Sequence, residues 1–314
     1  MKKQNLIYVL KVVFLILLFS FILDKIVFFS LNKISDRVYT GQSIGKLNQF
    51  LNIKDTTKLL IFGSSRANHE IDPTLLTNSG FNMGVDGRAI AYNATLIKLL
   101  PKLKKQIILL HIDPENAFKK NYKGKDLDAL IIKYNRNKII RNEIDKLKQD
   151  NIFQKFYWSL CYNGKLLGIL RNYLFPKYNY KKYFGYDPIF PTEIQKKIFY
   201  NKLKKKRKII CKENFKINKI YNDYLNEIKE FCKKNNKELI IFTSPVYNDR
   251  CKTDNKIFNE IMKQKKIKYF DFTDFFKNNN KLEYWKDEEH LSNKGAVLFT
   301  NKLKRIIEFY TCKL

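Results

Sequence analysis

The sequence predicts an α/β fold: three α/β/α layers around a parallel sheet of about five strands, with an N-terminal transmembrane helix and an inserted helical, aromatic-rich subdomain. Three observations lead there. Short apolar runs alternate with helical patterns along most of the chain; residues 6–31 are mostly apolar and carry no charge save Lys11, Asp24 and Lys25; and between about 117 and 215 the alternation lapses. Strands separated by helices pair in parallel through right-handed crossovers, and such sheets bind ligands beyond the carboxyl ends of their strands.

The opening stretch, MKKQNLIYVLKVVFLILLFSFILDKIVFFSLNK, holds a charge-free run over 12–23. The wider span Leu6–Leu31 supplies the ~20 apolar residues of a spanning helix once Lys11 reaches toward the headgroups. Asp24 and Lys25 then mark the far interface. No small-x-small pattern follows the apolar core, which argues against a cleaved signal peptide, and apolar residues on every face argue against a buried soluble helix. Residues 1–32 therefore read as an anchor. Lys2 and Lys3 stay on the cytoplasmic side, and the rest of the chain faces the extracytoplasmic side. A polar stalk follows over 33–56.

Each later element has its own signal. KLLIFG (58–63) reads as a buried strand ending at a glycine, and GFNMGVDG (80–87) as a short strand closing in a glycine loop. AIAYNATLIKLLPKLKK has helical spacing until Pro101. QIILLHID (106–113), ELIIFTSP (238–245) and KKIKYFDFTD (265–274) supply three further strands, and NKGAVLFTNKLKRIIEFY a last helix. The loops starting at Gly63, Gly84, Asp113, Ser244 and Asp274 then surround one potential site. The α/β domain takes residues 57–116 and 236–314. Residues 117–235 form an insertion or cap, rich in Lys, Tyr and Phe (NYLFPKYNYKKYFGYDPIFP) and carrying the basic run KLKKKRK. It returns to the sheet through an amphipathic helix with Ile217, Ile220, Tyr221, Tyr224, Leu225, Ile228 and Phe231 on its apolar face. Its aromatics suit stacking on sugar rings, contact with a bilayer surface, or packing on the body.

Sixty-one Lys and Arg against 30 Asp and Glu leave a net charge of +31. Such a charge favours anionic partners in general. The lysines, however, are spread along the whole chain, and no zinc finger, RNA-recognition motif or compact arginine-rich patch accompanies them, so nucleic acid is not expected as a partner. The five cysteines (Cys161, Cys211, Cys232, Cys251, Cys312) include no C-x-x-C pair and none has a histidine at zinc-ligand spacing. That argues against a structural metal site and against a disulfide framework, while leaving room for a single bridge. No cofactor is expected.

Serine needs a base within hydrogen-bond reach, itself oriented by a third group. Ser65 follows Gly63 at the end of the first strand. Of the three histidines, His69 is only four residues past Ser65, and His111 sits in an apolar strand as a buried, satisfied residue. His290 has Asp287 three positions earlier, within reach of its imidazole in one turn.

FGSSR (62–66), NMGVDG (82–87) and DEEH (287–290), in that order on an α/β sheet, resemble the motif blocks of the SGNH (GDSL-type) hydrolase superfamily. The resemblance covers roughly 57–116 and 236–310 and implies a flavodoxin-like sheet. It implies Ser65 as nucleophile, with Ser64 where the family has Asp, and Asp287 and His290 as its partners. The backbone N–H groups of Ser65 and Gly87 would serve an oxyanion hole. The family's third block, G-x-N-D, is absent: HIDPENAF (111–118) stands in its place, and Asn116 is the candidate substitute donor. Losing one such donor costs ~100- to 1000-fold in turnover. Arg66 is a candidate for steering an anionic acceptor. The G-S-S variant with an N-terminal anchor resembles the membrane-anchored branch that acylates or deacylates cell-surface polysaccharides. The resemblance implies acyl transfer or ester hydrolysis on O-acetyl-type groups of a surface glycan. The alternative it leaves open is a catalytically weak or inactive SGNH-fold subunit that binds glycan or assembles beside a multi-pass membrane O-acyltransferase.

Overall fold

The computed structural model describes residues 3–176, 178–205, 211, 215–249 and 251–311. Lys2, Cys312 and the 206–208 end of the basic run lie outside the described residues. The chain divides into two compact units: one of residues 1–48 and 127–178, named the anchor unit after the expectation above, and a sheet unit of 49–126 and 179–314.

In the anchor unit, helix α1 (Lys3–Ser35) runs unbroken for 33 residues, and its Asn5–Ser35 portion is long and apolar enough to cross a membrane. Asp24 and Lys25 do not face outward as interface markers. Asp24 is buried and accepts from the backbone N–H groups of Trp158 (2.8 Å) and Ser159 (2.9 Å), while Lys25 donates to Asp24 (2.8 Å) and to the carbonyl of Phe156 (2.6 Å). Farther along, Phe28 is buried against Trp158, and Asn32 accepts from Tyr162 Oη (2.7 Å). Residues 156–162 of the insertion expected to cap a site therefore pack against α1.

The expected polar stalk is instead largely folded. Helix α2 (Lys46–Ile53) buries Leu47 and Phe50, whose three-residue spacing puts both on one face.

The sheet unit holds five strands, β1 (Leu59–Phe62), β2 (Gly80–Asn82), β3 (Gln106–His111), β4 (Lys237–Thr243) and β5 (Lys268–Asp271), all parallel in the order β2-β1-β3-β4-β5. The order reverses direction between β1 and β3, which opens a crevice at their carboxyl ends. Leu59, Ile61, Ile107, Leu109, Ile240 and Phe242 share a core with Phe299, Leu303 and Ile307 of the last helix, Asn293–Thr311. The intervening Leu60, Phe62, Ile108, Leu110 and Ile241 are as fully buried on the other face. Burial on both faces explains why β1 and β3 are continuous apolar runs with no alternation. The second strand is shorter than its sequence run because residues after Asn82 leave the sheet as the glycine loop.

Cys211 and Cys251 form a disulfide that closes a separation of 40 residues, and Cys161 and Cys232 are buried free thiols.

Candidate active site

Strand β1 ends at Gly63, whose φ of +148° suits only glycine; a Cβ there would fall 2.7 Å from the Cβ of Ala67 and 2.8 Å from that of His111. Its N–H is held by Asn93 Oδ1 at 3.2 Å. The sharp exit lets helix α3 (Ser65–Glu70) begin at once, with Ser64 at its N-cap and Ser65 at its first position. The Ser65 N–H is thus among the first-turn donors that a helix leaves without an internal acceptor.

The 287–290 turn is built by one carboxylate. Asp287 Oδ1 accepts from the backbone N–H of Glu289 and of His290, both at 2.9 Å, and the same carboxylate receives His290 Nδ1 at 3.0 Å. An Asp capping its own turn in this way fixes backbone and ring together. The turn is anchored on either side by buried Trp285 and Leu291, which pair across it as an antiparallel bridge. With the proton on Nδ1 directed at Asp287, Nε2 is the acceptor, and it lies 2.9 Å from Ser65 Oγ. The chain therefore brings Ser65, His290 and Asp287 into one hydrogen-bonded line. Burial alone would raise the Asp287 carboxyl; the hydrogen bonds from His290 and the two backbone N–H groups outweigh it and hold the carboxyl far below the usual range.

The glycine loop after β2 runs beside this serine. Met83 N–H donates to Ile61 O (2.7 Å) and Val85 N–H to Gly63 O (3.1 Å), while Gly84 sits so close to α3 that a Cβ would come within 2.5 Å of Asn68 N. Gly87, at φ +68°, has open space around its Cα.

Two other candidates are placed differently. Asn116 does not turn toward the serine: its amide faces Asp113 (3.4 Å) and its carbonyl accepts from Lys119. Asn116 lies in a short helical turn, Pro114–Ala117, which Pro114 starts. Arg66 steers nothing on the surface. It is buried, with its guanidinium on the Asp113 carboxylate and on the carbonyls of Ser244 and Pro245. The second helical residue points inward beneath the strand ends, where a buried cation requires such partners. Burial opposes ionisation of Asp113, but Arg66 prevails and keeps its carboxyl low.

Three further groups escape the motif reading. His69 lies with its ring 6.3 Å from that of His290. Its Nδ1 donates to Asp187 O (2.6 Å) and its Nε2 meets the Asp86 carboxylate (3.1 Å). A carbonyl and a carboxylate both only accept, so these two contacts favour the charged ring, with a proton on each nitrogen. Burial disfavours that charge, but Asp86 and Asp187 raise the His69 pKa above its ordinary value. His69 thereby ties α3 to the residue preceding Gly87. Glu70 is fully buried; its Oε1 accepts from Leu291 N–H (3.3 Å), and burial pushes its pKa up to about 7. His111, expected to be satisfied, is buried with neither ring nitrogen hydrogen-bonded, and burial lowers its pKa to about 4, keeping it neutral. No sequence spacing announces these contacts, since each partner comes from a different loop.

Among the described residues, no group of three or more His, Cys, Asp or Glu side chains could hold a metal ion. No protein-family model matches the chain, and no curated protein matches it, so functional inference rests on the residues and their geometry.

Proposed function

We propose that this chain is a membrane-anchored serine acyltransferase or esterase of the SGNH type, with its sheet unit outside the membrane and acyl groups, of the O-acetyl kind, on a cell-surface polysaccharide as its substrate. The observation that carries the reading is the 2.9 Å contact between Ser65 Oγ and His290 Nε2, with Asp287 on the other ring nitrogen. In this reading His290 takes the hydroxyl proton as Ser65 attacks an ester carbonyl. The N–H groups of Ser65 and Gly87 stabilise the tetrahedral oxyanion. Collapse expels the alcohol, protonated by His290, and leaves an acyl-serine. Water then completes hydrolysis, or a glycan hydroxyl completes transfer, with His290 again as base. The parallel sheet with its crevice at the β1 and β3 ends supports the SGNH assignment. The Cys211–Cys251 bridge supports an oxidising, extracytoplasmic location for the sheet unit.

A second reading is favoured by one observation: Asn116 is turned to Asp113 and Lys119, so the third oxyanion donor is not supplied there. In that reading the fold binds glycan, or assembles with a multi-pass membrane O-acyltransferase, without turning over ester itself.

The two part on one experiment with the purified full chain in detergent. Nitrophenyl acetate hydrolysis and labelling by a fluorophosphonate, both lost in Ser65→Ala and the hydrolysis lost in His290→Ala, support the enzyme. Hydrolysis that persists equally in both variants, or no labelling of Ser65 at all, leaves the binding reading.

A further inference from the structure

Within the anchor unit, the fully exposed part of α1 is too short for the bilayer it is read to cross. Side chains are exposed from residue 5 to 19, and packing begins at Ser20. At 1.5 Å per residue that stretch covers about 22 Å, against about 30 Å of hydrocarbon. The missing 8 Å or so correspond to about five more residues, 20–24, where other parts of the chain already lie against α1. If the slab instead begins at Lys11, snorkelling to the headgroups, it reaches still further along α1.

The chain at this level is the 151–175 stretch. Ser20 Oγ hydrogen-bonds Tyr157 Oη (3.0 Å), the rings of Phe21 and Phe156 lie 5.0 Å apart, and Lys25 stands 4.4 Å over the ring of Trp158. The charges there, buried Asp24 and half-buried Lys25, are satisfied by each other and by the backbone of 156–159. Such closure within the protein is what a site without water demands. Around it, large apolar side chains stand uncovered: Ile152 is 76%, Leu167 84% and Phe175 71% exposed, joined by Phe153, Phe156 and Leu174. Within Leu166–Leu174, Leu167, Arg171 and Leu174 share one helical face, so a cation is set between two exposed leucines. That is the arrangement of an interfacial helix against anionic headgroups.

We propose that residues 151–175 form an interfacial collar around α1, with Ile152, Phe153, Phe156, Leu167, Leu174 and Phe175 immersed in the lipid of the outer interface. The partner is the phospholipid bilayer, because the uncovered surface is continuous with that of the anchor helix. The inference rests on α1 being membrane-inserted. A single inserted helix leaves its soluble portion free to rotate and tilt; a collar seated in lipid adds a second, lateral attachment.

The test uses the full chain, one copy per nanodisc of mixed zwitterionic and anionic phospholipid. Nitroxides are attached to cysteines introduced singly as Phe14→Cys, Phe153→Cys, Leu167→Cys, Phe175→Cys and Ile194→Cys, in a Cys312→Ser background. Collision with oxygen, which partitions into lipid, is compared with collision with a water-soluble nickel chelate. The collar requires oxygen to exceed nickel several-fold at 153, 167 and 175 as at 14, with the reverse at 194, an exposed site in the sheet unit. Nickel dominance at 153, 167 and 175 with oxygen dominance at 14 overturns the collar and keeps the anchor. Nickel dominance at all sites overturns both. Shielding of 153, 167 and 175 from both reagents means protein covers the face, and that also overturns the proposal.

Discussion

The two units of this chain differ in emphasis. The sheet unit draws polar groups inward and pairs them: Arg66 with Asp113, His69 with Asp86, Asp287 with His290. The anchor unit leaves apolar groups outward and uncovered along α1 and 151–175. In water the second pattern is a liability and the first an expense. The contrast teaches that burial goes to polar pairs in the one unit and is withheld from many apolar side chains in the other, as the proposed seat of the second in lipid requires. Lys25 and Arg66 make the same point on a smaller scale. Both are cations beside an aspartate, but Lys25 has a long flexible stem and partial exposure, whereas the Arg66 fork is fixed under three acceptors.

The comparison can be broken at its strongest point first. Asp287→Asn replaces one carboxylate oxygen by an NH2 donor and removes the charge that holds the His290 tautomer, so the proposed esterase turnover should fall by about 10⁴-fold, while nitroxide accessibility at residue 167 stays unchanged. A loss below tenfold would mean the turn is held without its carboxylate. Asp113→Ala leaves the Arg66 guanidinium buried without its counter-ion and should lower stability by about 3–5 kcal/mol in chemical denaturation of the sheet unit.

The pH dependence comes next in size. Glu70 titrates near 7 in the folded chain, against 4.5 ordinarily, because burial penalises its charge. The folded state therefore holds more protons than the unfolded one between these values, and stability must fall as pH rises through this window. At 1.36 kcal/mol per unit the loss is about 3 kcal/mol. Glu70→Gln, which keeps an oxygen for Leu291 N–H, should flatten the slope; an unchanged slope would remove Glu70 as its source. His69 acts in the same sense at higher pH. Its raised value adds stability that is complete below about 6.5 and is lost as pH rises through the folded pKa. The smallest effect is expected for Asp24→Ala, the anchor-unit counterpart of Asp113→Ala. Lys25 can then snorkel to headgroups, so the cost is about 1–2 kcal/mol, chiefly the unpaired N–H groups of Trp158 and Ser159. A cost equal to that of Asp113→Ala would erase the distinction between the two units.

Much of the fold was legible because its signals are local. The runs at 59–62, 107–110 and 239–242 are apolar throughout, as strands of a parallel sheet covered on both faces are. Ser65 was legible from the glycine beside it, and Asp287 with His290 from a three-residue spacing that one turn can close. What the sequence hid depends on contacts between distant segments. Arg66 looks like a surface residue until β3 and the 244–245 loop are seen to enclose it. The folding of 41–53 was missed because Leu47 and Phe50 are sparse among polar neighbours. The stretch around Trp158 reads as a cap, since nothing in its composition reveals that Asp24, 134 positions earlier, receives its backbone.

The proposed nucleophile and its base are 225 positions apart in the chain. A polypeptide leaving the ribosome N-terminus first therefore carries Ser65 long before it carries His290. Until the final turn docks, the serine hydroxyl is an ordinary alcohol, and the growing chain has no reactive centre. In the proposed enzyme the reactive centre is therefore the last part of the sheet unit to be assembled, since it waits on the turn at 287–290.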